Sequence, residues 1–272
     1  MHVTLSNYGK IIQTVHAIIL AMDNSMKDEA LGRVCVVIPT YNEVDNITTL
    51  LPMVLHTLLE NGIDCVILVV DDNSPDGTGE VVEKLSKENP RIRLLRRAAK
   101  MGLGSAYKAG FDYALHTCKS DVILEMDADF SHNSAYIPIM VQKISEGSDL
   151  ALGSRYIEGG RVENWSTSRK AISAGANHIV RLLTRLPVKD CTSGFRAYSR
   201  SILMRINPQT VRGNSFDFQV EMVWRCFREH AAIVEVPITF SNRTRAKSKL
   251  SVIDMITFLG AALRIALERA FR

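Results

Sequence analysis

The chain has few cysteines, and their distribution excludes two classes of protein. Its 272 residues include five, an odd number, and no two of them form a Cys-x-x-Cys pair. A disulfide framework needs paired cysteines, and structural zinc sites bring theirs close together in sequence. Neither is therefore expected, and isolated thiols of this kind are typical of a cytoplasmic protein.

Long apolar runs are also missing. No run reaches the roughly 18 to 20 residues that span a bilayer, so we expect no integral membrane helix. Residues 11–22 have only the length of a signal-peptide core, without a basic leader or a small-residue cleavage site. We interpret residues 1–32 as an N-terminal extension, either a peripheral helix or sequence upstream of a true start at Met22 or Met26.

Several catalytic fingerprints are absent as well. The sequence has neither Gly-x-Gly-x-x-Gly nor Gly-x-x-x-x-Gly-Lys-Ser/Thr, which argues against dinucleotide oxidoreductases and P-loop phosphotransferases. Its histidines lack the spacing of metal-ligand pairs and have no serine or cysteine elbow beside them. That pattern argues against zinc catalysis and hydrolase triads.

The net charge of +4 hides two halves of opposite sign. Residues 1–150 carry 13 Lys and Arg against 20 Asp and Glu, and residues 151–272 carry 20 against 9, which gives −7 and +11. A basic half is typical of a solvated surface, and it also suits a phosphate-bearing substrate or an acidic membrane. Little aromatic interleaving and no nucleic-acid fold pattern argue against nucleic acid.

Short β-branched runs alternate with longer helical stretches, which predicts a mostly parallel α/β sheet in a single domain over residues 33–250. We expect strands at 34–40, 65–72, 92–97, 121–127 and 148–156, separated by helices at 44–61, 77–88, 104–118 and 135–146. Further along we expect a helix over 168–186, a loop over 188–199, a helix over 216–230, a strand over 232–240, a basic loop over 241–251 and an amphipathic helix over 251–272.

Polar clusters follow the carboxyl ends of the predicted strands, where open α/β sheets bind ligands. Asp127 and Asp129 stand one residue apart after a buried run, so extended backbone points both carboxylates to one side. There they can share a hard divalent cation, although such a pair also occurs in solvated turns. Residues 69–80 lead from a buried strand into a polar loop that opens a helix, and this arrangement suits ribose and phosphate as well as a simple capped turn.

With these features the chain resembles the family 2 glycosyltransferases of GT-A fold, and among them the polyprenyl-phosphate (dolichol-phosphate) mannose synthases. The resemblance covers about residues 33 to 250 and rests on many motifs in order. They are VIPTYNE at 37–43, VVDDNSPDGT at 69–78, GLGSAYKAGF at 102–111, EMDADFSH at 125–132, GSRYIEGGRVENW at 153–165, RKAISAGAN at 169–177, KDCTSGFRAY at 189–198, FDFQVEM at 216–222 and EVPITFSNR at 235–243.

The resemblance implies a donor site for GDP-mannose. The residues that would hold the guanosine part, or lie beside it, are Pro39, Tyr41, Glu43, Val69, Asp71 and Asp72. Asp127, Ala128 and Asp129 would bind the diphosphate with Mg²⁺ or Mn²⁺. Ser131, which stands where family members often have glutamine, would be a further metal ligand.

The resemblance also implies an acceptor site. The residues expected around the acceptor phosphate and the donor diphosphate are Arg155, Arg169, Ser173, Arg243 and Lys249. Asp190 and Glu221 would line the sugar side. Arginine forks suit phosphate oxygens, and the basic half of the chain would thus meet an anion. Asp127, Asp129 and Arg155 would be the catalytic residues.

The implied reaction is an inverting transfer of mannose from GDP-mannose to polyprenyl (dolichyl) phosphate. A polyprenyl-phosphate glucosyltransferase using UDP-glucose, or a non-catalytic sugar-nucleotide or membrane-binding module, would fit the same residues. The terminal helix confines its polar side chains to one stripe, and its wide apolar face suits the core or a lipid surface. The resemblance implies a peripheral protein at the cytoplasmic face of a membrane, held by its amphipathic ends or by a membrane-anchored partner subunit.

Overall fold

The structure is a computed structural model that describes residues 32–241 and 252–270. The described residues from Arg33 onward belong to one compact unit. Almost all of the predicted N-terminal extension lies outside the described residues, and so does the basic loop that carries Arg243 and Lys249. Within the described part, no helix is long and apolar enough to cross a membrane.

Strands and helices alternate over the first half of the described chain. The strands are β1 Val34–Thr40, β2 Cys65–Asp71, β3 Ile92–Arg96, β4 Val122–Glu125, β5 Leu150–Ser154, β6 Arg161–Val162, β7 Arg196–Ser199, β8 Ile233–Pro237 and β9 Thr239–Phe240. The helices are α1 Val44–Glu60, α2 Thr78–Glu88, α3 Leu103–His116, α4 Ile137–Ser145, α5 Thr167–Thr184, α6 Arg200–Ile206, α7 Phe216–Arg228 and α8 Val252–Ala270. Short 3-10 turns cover Ser134–Tyr136 and Pro208–Thr210.

A mixed sheet forms the centre of the described residues, with strand order β3-β2-β1-β4-β7-β5-β8. β1 pairs in parallel with β2 and β4, β2 with β3, and β5 with β8. β7 runs antiparallel to both of its neighbours, β4 and β5, so the other strands share one direction. The predicted class, a mostly parallel sheet in a single α/β domain, is confirmed.

Side chains of the sheet enter two separate cores. Alternate residues of β1 and β2 point to opposite faces, as the two-residue period of a strand requires, and nearly all of them are buried. One core contains Tyr107 and Phe111 of α3 and Phe218 of α7. The other contains the apolar stripes of α1 and α4. Helices therefore cover both faces, which explains why the strands are apolar without a break.

Two predictions for the second half of the chain were wrong in part. The predicted loop over 188–199 contains β7, which was missed because a strand that begins with Arg196 does not look apolar, although the structure buries that side chain completely. The predicted strand over 232–240 is two strands. β8 joins the main sheet, and β9 pairs with β6 in a separate two-stranded sheet. Pro237 ends β8, where a residue without an N–H cannot continue a ladder.

Helix α3 approaches the sheet at Gly110. A Cβ built on Gly110 would overlap Val37 Cγ1 and lie 3.2 Å from Val70 Cγ2, so the backbone of α3 packs directly on these valine side chains of β1 and β2. The contact fixes the height of α3 above the strands that carry the polar clusters.

We expect Gly110→Ala to lower the free energy of unfolding by about 1–3 kcal/mol, the usual cost of overpacking a core. Alanine is intrinsically favoured over glycine in a helix by about 1 kcal/mol. A loss of stability in Gly110→Ala would therefore come from this contact and not from helix propensity. Gly175→Ala in α5 is the matched control, because a Cβ there would meet nothing within 4 Å. Urea denaturation measures both variants, and equal stabilisation of the two would contradict the close approach.

Candidate active site

The carboxyl ends of β1 and β2 meet around Asp71, which is buried. Thr40 Oγ1 donates to Asp71 Oδ1 at 3.0 Å, and Ser74 donates its N–H to Oδ2 at 3.0 Å and its hydroxyl to Oδ1 at 2.5 Å. Ser74 Oγ in turn accepts the N–H of Asn42 at 3.0 Å. Asp71 therefore fixes the loops after both strands relative to each other.

The rim beside Asp71 carries most of the predicted nucleotide residues. Tyr41 is exposed, and Lys100 Nζ lies 4.0 Å from the centre of its ring. The N–H of Glu43 donates to Thr78 Oγ1 at 3.0 Å, which ties the start of α1 to the start of α2. Pro39 is half-buried and Val69 is fully buried. An exposed aromatic ring next to fixed carboxylates is suited to binding a flat base and a ribose.

Asp72 lies on the α3 side of this rim. Its Oδ1 is 3.0 Å from Arg97 Nη1, and its Oδ2 accepts the N–H of Met101 at 3.3 Å. Burial raises the pKa of Asp72 above its ordinary value, and the charge of Arg97 opposes that rise. The pair links the end of β2 to the loop that opens α3.

Asp127 and Asp129 follow β4 directly, in a loop where Phe130 has a φ of +61°. Tyr107 Oη donates to Asp127 Oδ1 at 3.2 Å, and the N–H of Asp127 donates to His132 Nδ1 at 3.1 Å. The N–H of Ser131 donates to Asp129 Oδ1 at 3.0 Å. The left-handed conformation is uncommon for a bulky residue, so the loop keeps a shape that these hydrogen bonds hold in place.

The donor set of this loop fits a magnesium or manganese ion. Among residues 32–241 and 252–270, no cluster of three or more His, Cys, Asp or Glu side chains could hold a metal. Mg²⁺ typically takes one or two carboxylates together with substrate phosphates and waters, and Asp127 and Asp129 supply two. Ser131 Oγ is buried and has no hydrogen-bond partner in the described part of the chain, so it remains a candidate third oxygen. Ala128 is buried between the two acids.

Arg155 follows β5 and forms a two-pronged ion pair with Asp190. Nε and Nη2 lie 2.7 Å from the two carboxylate oxygens, the N–H of Arg155 donates to Oδ2 at 3.0 Å, and Nη2 also donates to Thr192 Oγ1 at 2.8 Å. Burial alone would raise the pKa of Asp190, but the charge and hydrogen bonds of Arg155 hold it below its usual value. Asp190 therefore orients the guanidinium.

The structure brings the predicted acceptor residues of α5 close to Arg155. Tyr156 Oη donates to Ser173 Oγ at 2.7 Å. The ring of Trp165 lies 4.0 Å from the guanidinium carbon of Arg169 and 5.8 Å from that of Arg155. Arg155, Arg169 and Ser173 thus surround one aromatic patch.

Glu221, predicted on the sugar side, binds two arginines. Its Oε1 accepts from Arg225 Nη2 at 2.8 Å and its Oε2 from Arg264 Nη2 at 2.6 Å, while the N–H groups of Arg212 and Gly213 add bonds of 3.2 and 3.3 Å. Burial by itself would raise the pKa of Glu221, but these partners lower it. The carboxylate fastens α8 to α7, and its role toward a sugar stays a prediction.

Sequence reasoning missed a buried polar layer beneath the two aspartates. Glu125 Oε1 lies 3.4 Å from Arg196 Nε and accepts from Tyr198 Oη at 3.3 Å, and neither charged side chain reaches solvent. Burial raises the pKa of Glu125 to about 8 despite Arg196. Tyr107 and His132 were missed in the same way. All lie inside the quoted motifs, but only the fold shows which of them touch.

Solved structures identify the class of this fold. The glucosyl-3-phosphoglycerate synthase of Mycobacterium tuberculosis, solved with Mn²⁺, UDP and glucosyl-3-phosphoglycerate, superposes with a TM-score of 0.64 at 17% identity, covering 86% of this chain and 80% of that chain. The mannosyl-3-phosphoglycerate synthase of Rubrobacter xylanophilus gives 0.64 at 15% identity, covering 89% and 75%. The likeness confirms the predicted GT-A fold.

Sequence relatives identify the family. The family described as "Glycosyl transferase family 2" matches residues 35–206. A "Polyprenol monophosphomannose synthase" of Mycolicibacterium smegmatis is 41% identical over 220 residues, covering 80% of this chain and 81% of that protein. An "Undecaprenyl-phosphate mannosyltransferase" of Micrococcus luteus is 41% identical over 219 residues, covering 80% and 88%, and a "Dolichol-phosphate mannosyltransferase" of Pyrococcus furiosus is 38% identical over 237 residues, covering 86% and 63%. The chain belongs to glycosyltransferase family 2, as the motifs predicted.

We expect Asp190→Asn to lower the free energy of unfolding by about 3–5 kcal/mol at pH 7, because it leaves Arg155 buried without its counter-ion. The folded pKa of Asp190 lies below its usual 3.8, so its contribution is complete above that pH and is lost as the pH falls through the folded pKa. The difference between wild type and variant should therefore shrink below about pH 4. Urea denaturation at pH 7 and pH 3 measures it.

Asp64→Asn provides the control for that experiment. Asp64 binds Arg33 Nε at 2.9 Å, but about half of each side chain is exposed, so its loss should cost less than about 1 kcal/mol. Similar losses in the two variants would mean that the Arg155–Asp190 pair is not a buried one.

Proposed function

We propose that the protein transfers mannose from GDP-mannose to a polyprenyl (dolichyl) phosphate with inversion, giving polyprenyl phosphate β-mannose and GDP. The observation that carries the proposal is the agreement of three relatives at 38–41% identity, whose names all join mannose to a polyprenol, undecaprenyl or dolichol lipid. An oxygen of the lipid phosphate would attack the anomeric carbon, and the bond from that carbon to the diphosphate would break.

The donor would lie across the carboxyl ends of β1, β2 and β4. Tyr41 and the carboxylates near Asp71 would bind the guanosine, and Asp127 and Asp129 would bind the diphosphate together with Mg²⁺ or Mn²⁺. The glucosyl-3-phosphoglycerate synthase of the same fold has been crystallised with either ion and UDP, which supports a divalent cation here. Bound there, the cation would stabilise the negative charge that grows on the leaving diphosphate.

The acceptor phosphate would lie at the aromatic patch formed by Tyr156 and Trp165. Arg155 is held in place by the bonds from its Nε and Nη2 to Asp190, so its guanidinium would meet an anion in a fixed orientation. A phosphate monoester with a second pKa of about 6 is largely a dianion at neutral pH, so it needs no strong general base. Positioning by Arg155, Arg169 and Ser173 would then matter more than proton abstraction.

Contact with a membrane would bring this site to its lipid. α5 packs against α8, and each exposes apolar side chains to solvent. On α8, Leu259, Leu263 and Leu267 are 37%, 53% and 59% exposed and recur once per turn, while Ala262 and Ile265 are buried. On α5, Ile179 and Leu182 are exposed. These exposed side chains support a peripheral contact with a membrane, either with the bilayer itself or with an anchored partner, and we assign that contact to the cytoplasmic side.

We expect Asp129→Ala to abolish metal-dependent transfer, because the loss of one of two carboxylate ligands weakens binding of the cation and, through it, of the diphosphate. The assay uses purified protein, radiolabelled GDP-mannose, a short polyprenyl phosphate and Mg²⁺ or Mn²⁺, and it measures label in the lipid product. UDP-glucose in parallel tests the donor, and Asp64→Asn is the control. An active Asp129→Ala protein, or label that enters lipid only from UDP-glucose, would refute the proposal.

Arg243→Ala should raise the KM for polyprenyl phosphate more than the KM for GDP-mannose, since we assign Arg243 to the acceptor phosphate. Arg243→Lys should restore only part of the loss, because a lysine keeps the charge but not the two-pronged donor of arginine. Steady-state kinetics with each substrate varied in turn distinguish the two effects. An equal rise in both KM values would contradict a specific role at the acceptor phosphate and would indicate a general structural role for Arg243.

A further inference from the structure

Tyr107, in helix α3, contacts the first aspartate of the pair from the opposite side of the site. Its Oη donates to Asp127 Oδ1 at 3.2 Å, and its side chain is 0% exposed. The ring lies between Phe111 and Phe218, with centroids 5.8 and 6.0 Å away. A buried hydroxyl needs a hydrogen-bond partner, and Asp127 supplies it.

Helix α3 is packed closely at two points, so it cannot easily move Tyr107 away from Asp127. A Cβ built on Gly104 would lie 2.9 Å from Asn214 Cα and from Gly213 O, so the first turn of α3 touches backbone. At Gly110, the helix rests directly on Val37 of β1. These two close contacts lie on either side of Tyr107 in the sequence and limit how far the helix can move relative to Asp127.

The backbone of Asp127 is held independently of its side chain. Its N–H donates to His132 Nδ1 at 3.1 Å, and the His132 ring stacks on Phe195 with centroids 4.9 Å apart. The backbone contact does not by itself fix rotation about the side-chain torsions of Asp127. The hydrogen bond from Tyr107 restricts that rotation.

We propose that Tyr107 is a positioning residue that holds the carboxylate of Asp127 in the orientation that binds the divalent cation. The inference rests on the proposed function, in which Asp127 is a metal ligand. Groups that orient metal ligands typically change metal affinity 10–100-fold when removed.

Tyr107→Phe tests the inference, because it keeps the stacked ring and removes only the hydroxyl. Mn²⁺ binding to the full chain, alone and with GDP, is followed by the EPR signal of free Mn²⁺. We expect binding about 10-fold weaker than in wild type, and a matching rise in the Mn²⁺ concentration that half-activates transfer. The kcat at saturating Mn²⁺ should change much less. Tyr113→Phe, on the same helix but partly exposed, should bind Mn²⁺ as wild type does.

The outcomes separate this inference from the function on which it rests. If Asp127→Ala binds Mn²⁺ as tightly as wild type, the metal assignment itself fails. If Asp127→Ala loses the ion but Tyr107→Phe keeps wild-type affinity, only the positioning role is overturned, and the tyrosine is a core residue.

A second measurement does not depend on the stability of the phenylalanine variant. With 3-fluorotyrosine at position 107, the ¹⁹F resonance should move when Mg²⁺ and GDP are added, and it should stay in place when the same protein carries Asp127→Ala. A resonance that ignores Mg²⁺ in the otherwise native protein would overturn the positioning role.

Discussion

Parallel pairing of β1 with β2 and β4 is the constraint on which the site depends. Parallel strands end at the same edge of a sheet, so Thr40 arrives there beside Asp71, while β4 ends a little earlier, with Glu125 beside Val37. The polar side chains that follow these strand ends belong to segments that are far apart in the sequence, and each of these segments is short. The sheet brings them within reach of one ligand without any long loop to order them, which lowers the entropic cost of a preformed site.

The antiparallel strand β7 is a second constraint on the site, and it has an energetic cost because it buries a charged side chain. It places the guanidinium of Arg196 beside the carboxyl group of Glu125 inside the sheet, and burying two ionisable groups in this way is seldom a gain over apolar packing. Arg196 also donates to the backbone oxygens of Cys191 and Gln219, at 3.0 and 2.8 Å. It therefore connects β4, the loop that carries Asp190, and α7. These contacts fix the three segments relative to one another directly beneath the loop that carries the two aspartates.

Most of the fold could be predicted from the sequence because its first half follows a regular alternation of strands and helices. The antiparallel strand could not, since four residues beginning with Arg196 and including Tyr198 carry no strand period. For the candidate site, the motifs predicted residues such as Asp127, Asp129 and Arg155. They did not predict that Asp190 is paired with Arg155, or that Tyr107 reaches Asp127 from 20 positions away in sequence. Such contacts depend on the distance between elements, which is set by glycines such as Gly110 through the absence of a side chain.

The pairing of Arg155 with Asp190 also reduces the long-range electrostatic attraction that Arg155 exerts on an anion. The two charges cancel beyond a few ångströms, so the pair presents a local dipole, and the long-range field of the basic half must come from other residues. Exposed charges are screened over about 8 Å at physiological ionic strength, whereas a buried pair is screened far less. Ionic strength should therefore govern how often an anion arrives at this face, while leaving almost untouched how it is held once it reaches Arg155.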